Sequence, residues 1–99
     1  MRSATAHKIF ENDERFEVKS AGTDQSANTP LSVDLLNWAD SIVVMEKHHR
    51  NFIRQKFADI YKDKKIVCLY IPDEYDYMQA ELIGLLKDKV EDVYKRGLI

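Results

Sequence analysis

Asp73, Glu74 and Asp76 crowd a short acidic segment, 72–77, together with Tyr75 and Tyr77. A carboxylic acid there could donate a proton to a leaving oxygen. The same carboxylates also fit a solvated turn in which Asp76 caps the next helix. Arg2-Ser3 is the second constellation. A helix N-terminus offers free N–H groups and a positive dipole end, and arginine adds a rigid fork able to grip two phosphate oxygens. The pair also fits a plain capping serine beside an unstructured terminal arginine. Cys68 would be a nucleophile only as a thiolate. It lies mid-strand between Val67 and Leu69, where a cysteine is inert core. His7, His48 and His49 raise the question of a metal. Consecutive helical residues point about 100° apart, so His48 and His49 cannot easily share one ion, and no metal site is expected. The run from Glu46 to Arg50 reads instead as a solvated first helical turn. The sequence holds no Gly-rich phosphate loop, paired-cysteine motif or Ser-centred nucleophile elbow.

These residues need elements to position them. Ala6, Ile9 and Phe10 fall at helical spacing, so a helix is predicted over 3–12 with Ser3 as a possible N-cap. Phe16, Val18 and Ser20 alternate with Glu17 and Lys19, the pattern of a half-buried strand over 16–20. Ser20-Ala21-Gly22-Thr23 then turns, and 24–28 is a polar loop. Thr29-Pro30 suits a helix start, and Leu31, Leu35 and Trp38 give that helix an apolar face through Ala39. The β-branched run over 41–45 reads as a strand covered on both faces. Helical period returns over 46–58, and 62–65 is a charged loop. A second buried strand follows over 66–71, ended by Pro72. The longest helix runs over 78–95, with Leu82, Leu86, Val90 and Val93 on one stripe and Gly97 as its stop. Three strands alternating with four helices predict an α/β domain: a doubly wound parallel sheet with helices on both faces. In such sheets ligands sit at the carboxyl ends of the strands. A doubly wound domain ordinarily begins on a strand, whereas this chain begins on a helix.

Composition fits that architecture. The 99 residues allow one domain and a core that needs no disulfide. A hydrophobic fraction of 44% and a charged fraction of 32% suit a globular protein. A net charge of -2 gives no reason to expect nucleic acid or an anionic membrane as partner. No apolar run approaches a membrane span, and no signal-peptide pattern is present. One cysteine makes no internal disulfide. A cytoplasmic domain without a cofactor is expected.

Four stretches in order carry a resemblance: Arg2-Ser3-Ala4-Thr5-Ala6, Ser20-Ala21-Gly22-Thr23, the run from Ala39 to Glu46, and Ile71-Pro72-Asp73. They resemble the low-molecular-weight protein tyrosine phosphatases, and more closely a small bacterial branch with an Ile-Pro-Asp-(Glu/Asp)-Tyr-Asp-(Phe/Tyr)-Met loop. The likeness spans essentially the whole chain. It implies a flavodoxin-like fold and hydrolysis of phosphotyrosine through a cysteinyl-phosphate. Arg2 and Ser3 match the last two residues of the family's Cys-x5-Arg-Ser loop, which holds the phosphoryl oxygens. Asp73 takes the position of the acid that protonates the leaving oxygen, and Tyr75 that of an aromatic walling the substrate cleft. Where the family usually has Asp-Pro, this chain has Asp73-Glu74, as the bacterial branch does. The substrate implied is a phosphotyrosine protein or a small phosphomonoester.

The chain departs from the pattern at its start. The nucleophilic cysteine falls before Met1, as does the first strand, about a dozen residues at typical element lengths. Either an internal methionine was taken as the start, or the product is short. The chain is therefore expected to be inactive as it stands. In the family the first strand lies between the second and third. Segments 16–20 and 41–45 should then flank an empty slot, so that the sheet closes up or another chain fills the gap, by homo-oligomerisation or strand exchange. The alternative function is a non-catalytic relative that binds phosphate or a partner. Arsenate reduction on the same fold would need further redox cysteines, which are lacking.

Overall fold

A computed structural model of the chain describes residues 2–22 and 29–99. The expectations for Met1, Thr23 and the loop over 24–28 lie outside the described residues. Five helices and two strands follow in the order α1 (Arg2–Phe10), α2 (Val33–Trp38), β1 (Ser41–Val44), α3 (Lys47–Lys56), α4 (Ala58–Asp63), β2 (Lys65–Cys68) and α5 (Ala80–Lys95). β1 and β2 pair in parallel, Ser41 opposite Lys65 through Val44 opposite Cys68.

The side chains of this small sheet divide cleanly. Ile42 and Val44 of β1, with Ile66 and Cys68 of β2, join a cluster built on Leu36 and Ile53. Val43 and Met45, with Val67 and Leu69, join a cluster built on Phe10, Ile71, Leu82, Leu86, Val90 and Val93. Successive strand side chains point to opposite faces, so both faces are covered and the apolar runs are continuous, as a doubly wound arrangement requires. Burial of each large aliphatic side chain is worth about 1.5–3 kcal/mol. The two clusters therefore hold α1 and α5 on one face and α2 and α3 on the other.

The structure corrects the strand count. Segment 16–20 is not a strand. Phe16, Val18 and Ser20 are half-buried while Glu17 and Lys19 are exposed, so the expected alternation is there. No strand of the described residues lies beside it to complete a ladder, and extended backbone without a ladder is not a sheet member. The sheet has not closed up: β1 pairs with β2 alone among the described residues. Near the segment's end Gly22 makes an isolated bridge with Pro30, donating to Thr29 O and accepting from the Leu31 N–H.

That bridge explains a second correction. Thr29-Pro30 does not start a helix, because the bridge to Gly22 holds the backbone there extended. Ser32 is the N-cap instead, its Oγ accepting from the Leu35 N–H at 3.2 Å. The shift in register buries Leu36 and leaves Trp38 41% exposed, under the Lys19 ammonium. The helix expected over 46–58 divides at Phe57, whose φ of -129° and ψ of 51° leave the helical region, and the residues that follow form α4. The expected loop over 62–65 shrinks accordingly. β2 ends at Cys68 because Tyr70 takes a positive φ of 55°, a conformation that leaves the ladder. Leu69 and Ile71 still donate to Val44 O and Met45 O. Helix α5 buries the stripe read from the sequence, Leu82, Leu86, Val90 and Val93. Gly97, at φ 73°, stops it: Leu98 N–H reaches Val93 O and Gly97 N–H reaches Tyr94 O, the paired bonds of a Schellman cap.

Candidate functional site

Arg2 stands in the first turn of α1 and is 8% exposed. Ser3 is the next residue of that turn, so it is not an N-cap. No acidic residue occupies the turn. Three groups from the carboxyl ends of the two strands meet the Arg2 guanidinium. Nη1 donates to Ile71 O at 2.7 Å and lies 3.0 Å from Glu46 Oε2, while Nε lies 3.7 Å from Asp73 Oδ1. Arg2 thus joins the segment after β1 to the segment after β2. Thr5, one turn further and fully buried, accepts from the Met78 N–H at 3.0 Å and fixes the far end of the acidic loop.

Of the residues expected at a site, Arg2, Ser3 and Asp73 come together at one end of a broad cleft of about 1190 Å³. The cleft runs between the extended segment ending in Gly22 and the free edge of β1, where the expected slot would lie. The Asp73 side chain is 65% exposed. Tyr75 is not among the residues lining the cleft. It is half-buried against the first core cluster, and its desolvation there, followed by the neighbouring Glu74 charge, raises its pKa. Cys68 is half-buried and packs on the second core cluster with Ile66.

Glu46 is the participant missed at the sequence level. It follows β1 as the N-cap of α3, its backbone N–H donating to His49 Nδ1, and its carboxylate Oε2 faces Arg2. The only sequence signal was an acidic residue directly after a buried strand, which equally suits a cap. With both carboxylates ionised, one guanidinium facing two acids leaves this corner net negative. A phosphate entering it must therefore compete with Glu46 for Arg2.

His49 feels opposing influences, since the Glu46 and Asp73 charges favour its protonated form but are outweighed. Burial, then the nearby His48 and Arg2, lowers its pKa, so the neutral ring is favoured in the fold. Its Nδ1 accepts from the Glu46 N–H at 3.2 Å.

Among the described residues, no helix is long and apolar enough to cross a membrane. Comparison with family models, with curated proteins and with solved structures finds no match to this chain.

Proposed function

We propose that the chain is a low-molecular-weight tyrosine phosphatase-like domain. In the complete family a cysteinyl-phosphate forms and is hydrolysed; this chain carries the phosphate-gripping Arg2 and the acid Asp73 without the nucleophile. The observation that supports the reading is the meeting of Arg2 and Asp73, 3.7 Å apart although 71 positions separate them, at the carboxyl ends of the strands and the N-terminus of α1. In an open α/β sheet that is where a ligand binds. Arg2 holds phosphoryl oxygens, Ser3 supplies an N–H and a hydroxyl of the same helical turn, and Asp73 offers its proton to the leaving oxygen. Cys68 packs in the second core cluster and takes no part, so the 99-residue chain does not turn over aryl phosphates.

The second reading is a non-catalytic relative that holds phosphate at the same residues, or a partner at the free edge of β1. The cleft beside that edge favours it.

Isothermal titration with inorganic phosphate and with vanadate tests both. Binding is expected to be weak in the natural chain and lost in Arg2→Ala. In Glu46→Gln it tightens by about fivefold or more, since removing a unit charge at about 4 Å relieves about 1 kcal/mol even in water. Binding unchanged in Arg2→Ala contradicts the site. Turnover of para-nitrophenyl phosphate that is abolished by Cys68→Ser contradicts the inactive assignment.

A further inference from the structure

The turn that opens α3 gathers a second set of donors. One ligand atom each from Glu46, His48 and His49 lies within 4.8 Å of the other two. Glu46 Oε2 is 3.6 Å from His48 Nε2 and 4.0 Å from His49 Nε2, and the two rings are 4.3 Å apart at their centroids. Consecutive helical side chains diverge at the Cα, but here both rings fold back toward the capping carboxylate. We propose that Glu46, His48 and His49 form a site for a single borderline divalent transition-metal ion of the zinc class, with the fourth position open to solvent.

The donor set is the first reason. Two imidazoles and a carboxylate suit Zn²⁺ and its neighbours, and three protein ligands with an open position are a common zinc arrangement. The spacing is the second. Tetrahedral bonds of this length place donors about 3.3 Å apart, so the Glu46 pairs at 3.6 and 4.0 Å need close by less than 1 Å. A shallow hollow bordered by Glu46, Lys47, His48, Asn51, Tyr70 and Pro72 leaves room for the solvent ligand.

Three features oppose the ion, and one is Lys47 on the border of the hollow. The positive end of α3 disfavours a cation, which the Glu46 charge offsets. Arg2 also claims Glu46 Oε2, at 3.0 Å. An ion and Arg2 therefore divide the carboxylate between them, Arg2 keeping Asp73 and Ile71 O. In the cap, His49 Nδ1 accepts a hydrogen bond, so the ring proton sits on Nε2. Ligation through Nε2 moves that proton to Nδ1, with no net proton change, and breaks the bond from the Glu46 N–H. Metal binding thus loosens the cap. The inference goes beyond the phosphate reading and does not depend on it.

Isothermal titration of the full chain with Zn²⁺ tests it, with the visible absorption of bound Co²⁺ as a second readout of tetrahedral ligation. One ion per chain is expected. His48→Ala and Glu46→Gln each weaken binding by at least about tenfold, the smallest loss typical even of residues that only support a ligand. His7→Ala and Cys68→Ser leave it unchanged. His48 is 70% exposed, so its replacement spares the fold, and circular dichroism checks this. Absence of saturable binding overturns the proposal. So does natural affinity in His48→Ala, or loss of binding in Cys68→Ser. Because Glu46→Gln weakens metal and strengthens phosphate, failure of one site is distinguishable from failure of the other.

Discussion

Arg2 does structural and chemical duty with the same five N–H donors. Replacing it by Ala leaves Ile71 O without its donor and Glu46 without its cation. A buried group stranded in this way costs about 1–3 kcal/mol, so urea denaturation of Arg2→Ala should show a loss in that range, whether or not phosphate is present. His49 gives a pH signature. Its pKa is lowered in the fold, so below the unfolded value of about 6.5 the unfolded chain binds more protons. Stability is therefore full above that pH and falls as pH drops through the window between the unfolded and folded values. Melting temperatures of the natural chain and of His49→Gln, followed from about pH 7 to pH 5, should converge as the pH falls; parallel curves would contradict the assignment. At this scale Arg2 and Asp73 were legible as candidates because their types are chemically distinctive, and the two side chains do meet. The sequence did not reveal Glu46, since a carboxylate after a strand serves as a cap or as an arginine partner with the same local pattern.

Helices and strands were legible where one local rule decides them. The stripe of α5 and its glycine stop appear as read, because apolar period and a left-handed C′ glycine act within the helix itself. Two substitutions test this. Leu86→Ala should cost about 2–5 kcal/mol, as a fully buried leucine does when its cavity cannot collapse. Gly97→Ala should cost about 1–2 kcal/mol, the strain of a left-handed backbone on a residue with a Cβ; chemical denaturation measures both. Elements set by distant partners were not legible. Segment 16–20 has the alternation of a strand, but a strand also needs a ladder neighbour, which no local pattern supplies. The start of α2 moved because the bridge between Gly22 and Pro30 holds the chain extended there, a pairing across the intervening loop that no run of adjacent residues signals. The division at Phe57 and the early end of β2 at Tyr70 rest on single backbone angles that apolar periodicity does not encode.

At the scale of the molecule, two core clusters lie on opposite faces of a sheet that is two strands wide among the described residues. The α/β layering read from the order of elements is present, while the width of the sheet is not what that order suggested. Residues of segment 16–20 and of β1 line opposite sides of the cleft. Arg2 and Asp73 line it, so the proposed phosphate site and the unpaired edge of β1 share one cleft. The most direct test of the phosphatase-like site is a titration of isotope-labelled chain with inorganic phosphate, followed amide by amide by nuclear magnetic resonance. The account predicts saturable shifts concentrated on Arg2 to Thr5 and on Asp73, larger at equal phosphate in Glu46→Gln and absent in Arg2→Ala. Shifts centred elsewhere, or a response in Arg2→Ala equal to that of the natural chain, would contradict it.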